Sequence, residues 1–276
     1  MTVRALLVRL TERLAAAGVA SPRVDAELLV AHALGVPRGR LLLADPPDAE
    51  QARVLEDLVA RRAAREPLQH LVGTAVLGPV EVAVGPGVFV PRPETETLLE
   101  LALGLLHGRE RPVVVDLCTG TGALALAIAH ARPDATVHAV DADPGALVWA
   151  RRNTAGTGVT VHEADVTVPG VLAGLDGTVD VVTCNPPYVP EGTAVPPEVV
   201  ADPHVAVFAG ADGLDVVRPV ATLAHRLLRG GGAVALEHDE SHPAAVRDVL
   251  AAAGFTGVAT VTDLAGRPRV TSGHRA

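Results

Sequence analysis

The 276-residue chain carries 32 acidic residues against 23 basic ones, all of them arginine, for a net charge of -9. That balance excludes a protein that wraps nucleic acid through a basic phosphate-binding surface, and a neutral or basic protein partner fits it better. The two cysteines, Cys118 and Cys184, make neither a disulfide framework nor a zinc spacing, so a reduced cytoplasm is the expected compartment.

The chain opens directly into an amphipathic pattern with no signal-peptide core, and no apolar run reaches spanning length, so no membrane attachment is expected. Val3, Leu6, Leu7, Leu10 and Leu14 recur at helical spacing up to Gly18. Ser21-Pro22 starts a second helix that runs to Gly35. Asp48 with Gln51 forms a capping-box pattern opening a third, whose arginine-rich end, Arg61-Arg62 to Arg65, reads as a solvated face. Residues 1–72 are therefore expected to form a small helical domain. Residues 73–90 turn β-branched, with Gly78-Pro79 and Gly85-Pro86-Gly87 as breaks, and read as a linking β-hairpin.

From residue 91 to 276 strand and helix alternate. Strands are expected at 113–117, 136–140, 159–161, 180–184, 232–237, 258–261 and 269–271, with helices at 123–131, 144–152, 214–228 and 243–253 between them. Such alternation gives an α/β fold with a doubly wound, mostly parallel sheet, whose ligands bind at the carboxyl ends of the strands. The proline-rich, acidic stretch 189–211 exceeds ordinary loop length and reads as a functional lid or a substrate-facing loop.

The chemistry collects at those strand ends. Asp116-Leu-Cys-Thr-Gly-Thr-Gly122 runs from a strand into a helix, where glycines let a ligand approach the backbone and a helix N-terminus favours an anion. Asp141, at the next strand end, suits a pair of ribose hydroxyls, and Asp165, at the third, can accept from an adenine amine. The fourth end is Asn185-Pro186-Pro187-Tyr188. An amine or amide nitrogen is a poor nucleophile while its lone pair is delocalised. The Asn185 side-chain oxygen and the Pro186 carbonyl can each accept one N–H and turn the lone pair outward, while Tyr188 covers the planar group. The matching electrophile is the sulfonium methyl of S-adenosylmethionine, so positioning supplies most of the catalysis.

These motifs together resemble the peptide chain release factor glutamine N5-methyltransferases, over nearly the whole chain. The resemblance is carried by Asp25-Ala-Glu-Leu-Leu29, Glu66-Pro-Leu-Gln-His70 with Gly73, Pro91-Arg-Pro-Glu-Thr-Glu96, the 185–188 motif, Asp212-Gly-Leu-Asp215 and Leu236-Glu-His238. It implies a Rossmann-like class I methyltransferase sheet over 91–276 and a substrate-binding role for the helical domain. By the same resemblance, Cys118, Thr119, Gly120, Thr121, Gly122, Asp141, Asp165 and Val166 border S-adenosylmethionine, with Asn185 close by and Arg92 assigned to the same side. Asn185, Pro186, Pro187 and Tyr188 would hold the substrate, which the resemblance makes the glutamine of the Gly-Gly-Gln loop of bacterial class I release factors. Cys118 stands where the family's loop usually has its first glycine, and Val166 where some relatives carry an aromatic. Two neighbouring activities share the chemistry, a ribosomal-protein glutamine methyltransferase and an adenine-N6 nucleic-acid methyltransferase. Against the second stand the acidic charge and only five aromatic residues, which leave no basic stacking stripe and no expected direct contact with nucleic acid.

Overall fold

The computed structural model describes residues 2–276. Its contacts group the chain into two units, one running through Thr74 and including Val195–Ala201, the other comprising Ala75–Ala194 and Asp202–Ala276.

In the first unit, the Thr2 hydroxyl accepts the Ala5 N–H at 3.3 Å and starts α1 (Val3–Ala16), whose Leu6, Leu10 and Leu14 are buried. Helix α2 (Pro22–Leu34) begins on a proline, whose missing N–H costs nothing in a first turn, and ends at Gly35 with φ 65°. Helix α3 (Ala49–Ala63) opens with both bonds of the capping box. The Gln51 N–H donates to Asp48 at 2.8 Å, and the Gln51 side chain accepts the Asp48 N–H at 3.0 Å, together contributing about 1 kcal/mol. A 3-10 turn at Arg38–Leu43 and a short α4 (Leu68–Val72) complete the bundle around Leu29, Val30, Leu58 and Val59.

Arg62 corrects the expectation of a solvated arginine face. It is 5% exposed, donating from Nε to Asp25 at 2.7 Å, from Nη1 to the Glu66 carbonyl at 3.0 Å and from Nη2 to Glu198 at 2.8 Å. Arg65 adds two bonds to Glu198, both 2.7 Å. Burial works against the Glu198 charge, but the hydrogen bonds from Arg65 and Arg62 outweigh it and bring the carboxyl down to about 2. An arginine fork tolerates burial when carboxylates meet it this way. These pairs also tie Val195–Ala201 to the helices, so the expected continuous domain over 91–276 is interrupted there.

A hairpin follows, β1 (Thr74–Leu77) and β2 (Val80–Ala83), which belongs to the second unit from Ala75 on, and then α5 (Thr95–Leu105). The strands β3 (Val113–Leu117), β4 (Thr136–Asp141), β5 (Thr160–Glu163), β6 (Val179–Cys184), β7 (Leu228–Glu237), β8 (Phe255–Thr262) and β9 (Pro268–Arg275) follow. They form one sheet in the order β5-β4-β3-β6-β7-β9-β8, parallel from β5 to β7, with β9 antiparallel to both its neighbours. Between them lie α6 (Ala123–Ala131), α7 (Pro144–Asn153), α8 (Val217–Leu227) and α9 (Pro243–Ala252).

The valine runs of β3 and β6 are buried because helices cover both faces of the sheet. Val114 and Val181 share one core cluster with Leu98 and Ile128, while Val115, Leu117 and Val182 share the other with Val220, Leu227 and Leu250. Several boundaries differ from expectation. Helix α8 starts at Val217 instead of Leu214, β7 begins at Leu228 instead of Gly232, and β8 and β9 are longer than their apolar centres. No helix among the described residues is long and apolar enough to cross a membrane.

Candidate active site

The order of winding reverses between β3 and β6, since β4 lies on one side of β3 and β6 on the other. A crevice therefore opens at their carboxyl ends, where the glycine loop leaves β3 and the Asn-Pro-Pro-Tyr segment leaves β6.

The loop is held from below by Asp116, which is 1% exposed. One of its carboxylate oxygens accepts the Thr119 hydroxyl at 2.5 Å and the other the Thr183 hydroxyl at 2.8 Å, joining β3, the loop and β6. Burial, opposed by these bonds, pushes its carboxyl up to about 7. Gly120 and Gly122 have φ of 58° and 79°, and Cys118 adopts φ 55°, a left-handed conformation that costs a side chain roughly 1–2 kcal/mol. Nothing lies within 4 Å of where a Cβ on Gly120 would stand, so the backbone there is open to a ligand. At Gly122 a Cβ would meet Thr154 Cγ2 at 3.2 Å, because α7 packs close behind the loop.

Asp141 accepts the Gly120 N–H at 2.8 Å and the Asp143 N–H at 3.0 Å, so its carboxylate sits against the loop with lone pairs to spare. Burial raises its pKa in spite of those amides. Asp165 lies two residues beyond the end of β5, is exposed, and accepts both the N–H and the hydroxyl of Thr167, which hold its carboxyl below the usual range. Val166 beside it is buried in the core cluster of β3 and β6. The side chain of Arg92 pairs with Asp202 and lies 5.1 Å over the Phe89 ring, contacts that account for it without a ligand.

On the other side of the crevice the Asn185 amide nitrogen donates to the Thr95 hydroxyl at 3.3 Å, and the Tyr188 hydroxyl donates to Glu237 at 3.3 Å. Burial, then the Glu237 charge, raises the Tyr188 hydroxyl above an ordinary phenol. The backbone after Tyr188 pairs with residues 207–210, with Val189 N–H to the Val207 carbonyl and Ala209 N–H to the Val189 carbonyl both at 2.9 Å. The motif is thus fixed at both ends.

Cys184 is fully buried and its thiol is pushed well above its ordinary range by burial and by the adjacent Cys118; both cysteines are free. His238 is buried with its ring nitrogens 2.8 Å from the Thr271 hydroxyl and the Asp239 carbonyl, a structural pairing. Trp149 packs against Gly85, where a Cβ would come within 2.9 Å of its ring.

Four residues of this site had no assigned role in the sequence reading. Asp116, Thr95 and Glu237 lie inside quoted motifs, and a carboxylate closing an apolar strand is a signal that could have singled out the two acids. Asn153 gave no signal. Its side chain donates to the Thr121 and Ala83 carbonyls at 2.9 and 3.0 Å and accepts the Ala83 N–H at 2.9 Å, stitching the loop to β2.

Residues 5–73 match the model of the PrmC N-terminal domain and residues 80–202 that of the methyltransferase small domain. A release factor glutamine methyltransferase of Mycolicibacterium smegmatis is 55% identical over 99% of this chain and 98% of its own length. The chain belongs to the release factor glutamine methyltransferase family. Members from Streptomyces coelicolor, 45% identical over 96% of this chain and 95% of theirs, and Deinococcus radiodurans, 45% identical over 100% and 99%, resemble it from end to end as well. Among solved structures, the T. thermophilus 16S rRNA methyltransferase RsmC, in complex with AdoMet and guanosine, superposes with a TM-score of 0.53. It is 24% identical, covers 74% of this chain and half of that one, and shares the class I methyltransferase fold.

Proposed function

We propose that this chain transfers a methyl group from S-adenosylmethionine to the side-chain amide nitrogen, N5, of the glutamine in the Gly-Gly-Gln motif of class I release factors. The observation that carries the reading is the Asn185–Tyr188 segment at the end of β6, beside the glycine loop of β3, in a chain of this family. The open backbone at Gly120 and the amide-held Asp141 carboxylate fit a nucleoside, with Cys118 to Gly122 and Asp141 as the residues that would hold the donor and Asp165 with Val166 flanking it. When bound, S-adenosylmethionine supplies an activated methyl on sulfur.

The remaining work falls to the protein. Asn185 Oδ1 and the Pro186 carbonyl accept the two amide N–H groups of the substrate, which twists the nitrogen lone pair out of conjugation. Proline serves here because its carbonyl is rigidly aimed and it brings no competing N–H. Tyr188 covers the amide plane, its ring anchored through Glu237. One N–H proton is shed to water once the new carbon–nitrogen bond forms, and no strong base is required. Holding the reacting atoms in line is a contribution of several kcal/mol. The helical unit would bind the release factor.

Incubation with purified class I release factor and methyl donor, followed by mass spectrometry of the Gly-Gly-Gln peptide, tests this. One methyl on the glutamine is expected, and it should vanish with Asn185→Ala in a protein that still folds. An unlabelled glutamine alongside a labelled nucleic acid overturns the reading.

A further inference from the structure

Two of the three residues in a Gly-Gly-Gln motif carry no side chain, so the motif offers an enzyme only the glutamine itself to select by. Glutamines are common on protein surfaces, and discrimination among them has to come from contacts beyond the crevice. The turn between β8 and β9 offers one. Leu264, at its tip, is 96% exposed, the most exposed large apolar side chain among the described residues. A solitary exposed leucine is ordinary on a protein surface. This one stands on a firmly held turn at the rim of the crevice.

Asp263 is buried beneath the tip. Its Oδ1 accepts the Ala265 N–H at 2.9 Å and the Arg267 N–H at 3.0 Å, its own N–H donates to the Arg267 carbonyl at 2.8 Å, and its carbonyl accepts the Gly266 N–H at 2.9 Å. With these bonds on one residue the tip is ordered in advance, and Leu264 is presented without the ordering cost of a loose loop. Arg269, also buried, donates from Nη1 to the His238 carbonyl at 3.3 Å and accepts the His238 N–H at its own carbonyl at 2.9 Å. The turn is thereby fastened to the end of β7, directly after the Glu237 that takes the Tyr188 hydroxyl. Glu237 lies opposite Val270, and Val270 opposite Val261, so Leu264 stands three residues past the level at which β7 reaches the crevice. Since β8 is the third strand from β6, the tip lies roughly 14 Å to the side of the Asn185–Tyr188 segment and up to about 10 Å beyond it.

Resting on the proposed glutamine reading, we infer that Leu264 is a specificity contact, an apolar knob that docks on the folded body of the release factor beside its Gly-Gly-Gln loop. The contact is continuous with the crevice. A folded domain of about 100 residues has a radius of gyration of about 13 Å, so a domain whose loop enters the crevice overhangs the rim where the tip stands. A folded protein face also supplies the apolar surface that a leucine matches, which a phosphate backbone does not. The knob acts on how tightly the release factor is held and leaves the reacting atoms alone.

The test compares steady-state methylation of purified class I release factor by wild type, Leu264→Ser and Leu264→Met. Leu264→Ser should raise the KM for release factor roughly tenfold, with kcat and the KM for S-adenosylmethionine unchanged, the pattern of a binding contact shared by ground state and transition state. Leu264→Met, which keeps the apolar bulk, should stay within a few-fold of wild type. Both variants should unfold in urea at the wild-type midpoint, because a side chain this exposed supports no packing in its own chain. A wild-type KM for release factor in Leu264→Ser overturns the proposal. So does a fall in kcat at unchanged KM, which would place the effect of the turn on the crevice itself, or a lowered urea midpoint, which would make the leucine structural. A change in the sedimentation of the enzyme alone overturns it as well, since a second copy of this chain would then cover the leucine. A wild type that methylates no release factor defeats the glutamine reading itself, which separates the two failures.

Discussion

Asp116→Asn offers a measurement of how the glycine loop is held. The carboxyl stands at about 7 in the fold against an ordinary 3.8, so ionising it there costs roughly 4 kcal/mol more than in the unfolded chain. Because the folded pKa is the raised one, the favourable contribution is complete below about 3.8 and is lost as pH rises through about 7. Between about pH 5 and pH 8.5 wild type should therefore lose roughly 3 kcal/mol that a neutral asparagine does not lose. At the acid end, where the wild-type carboxyl is itself protonated and presents one donor and one acceptor as the amide does, the variant should be about as stable as wild type. At the alkaline end it should be the stronger. Trp149, the single tryptophan, sits on α7 in the same unit, so its fluorescence during urea unfolding reports on this part of the chain. A difference between variant and wild type that stays constant across the pH range would mean that the two hydroxyls keep Asp116 ionised, and the account given of the loop would fall.

Two other substitutions probe contacts within a single unit. Gly213, with φ 73°, leaves room for the Tyr188 carbonyl, and the Cβ of Gly213→Ala would stand 2.2 Å from that oxygen. Glycine's left-handed conformation and the clash together should cost about 2 kcal/mol and move the 185–188 motif, so methyl transfer should fall at least roughly tenfold; unchanged kcat would show that the motif tolerates the shift. Asp25→Leu removes one carboxylate from the buried Arg62 and should destabilise the helical unit by about 3 kcal/mol. Adding Arg62→Met should recover part of that loss in denaturant unfolding, and a double variant as weak as the sum of the singles would contradict the ion-pair explanation.

What could be read from residues alone follows the range of the interactions. The caps at Asp48 and Gly35, the valine strands and the glycine loop are local patterns, and each appears where its chemistry predicts. The strand ends beyond the apolar centres were not legible. In β9, Ser272 and Gly273 carry no strand signal, yet they pair with Ala235 and Val234 because the partner strand supplies the ladder. Gly230 and Gly231 fall outside the strand expected at 232–237 but lie within β7, held by β6 on one side. Arg62 looked like its exposed neighbours since its partners stand 37 residues before and 136 residues after it. The site shows the same division. The motifs named the residues gathered at the strand ends around the crevice, whereas the hydroxyl and carboxylate contacts behind them, Thr183 to Asp116 and Asn185 to Thr95, cross 67 and 90 residues.

The position of β9 bears on how the chain comes to be folded. Being interior to the sheet, it gives β7 one of its two neighbours and β8 its only one, though it is built from residues 268–275. During synthesis the edge carrying Glu237 and Arg269 must wait, with β7 unpaired on that side, until Pro268–Arg275 has emerged. Until that strand pairs, β7 stays bare on one side, so β9 governs when the crevice is finished and where a chain lacking it would aggregate.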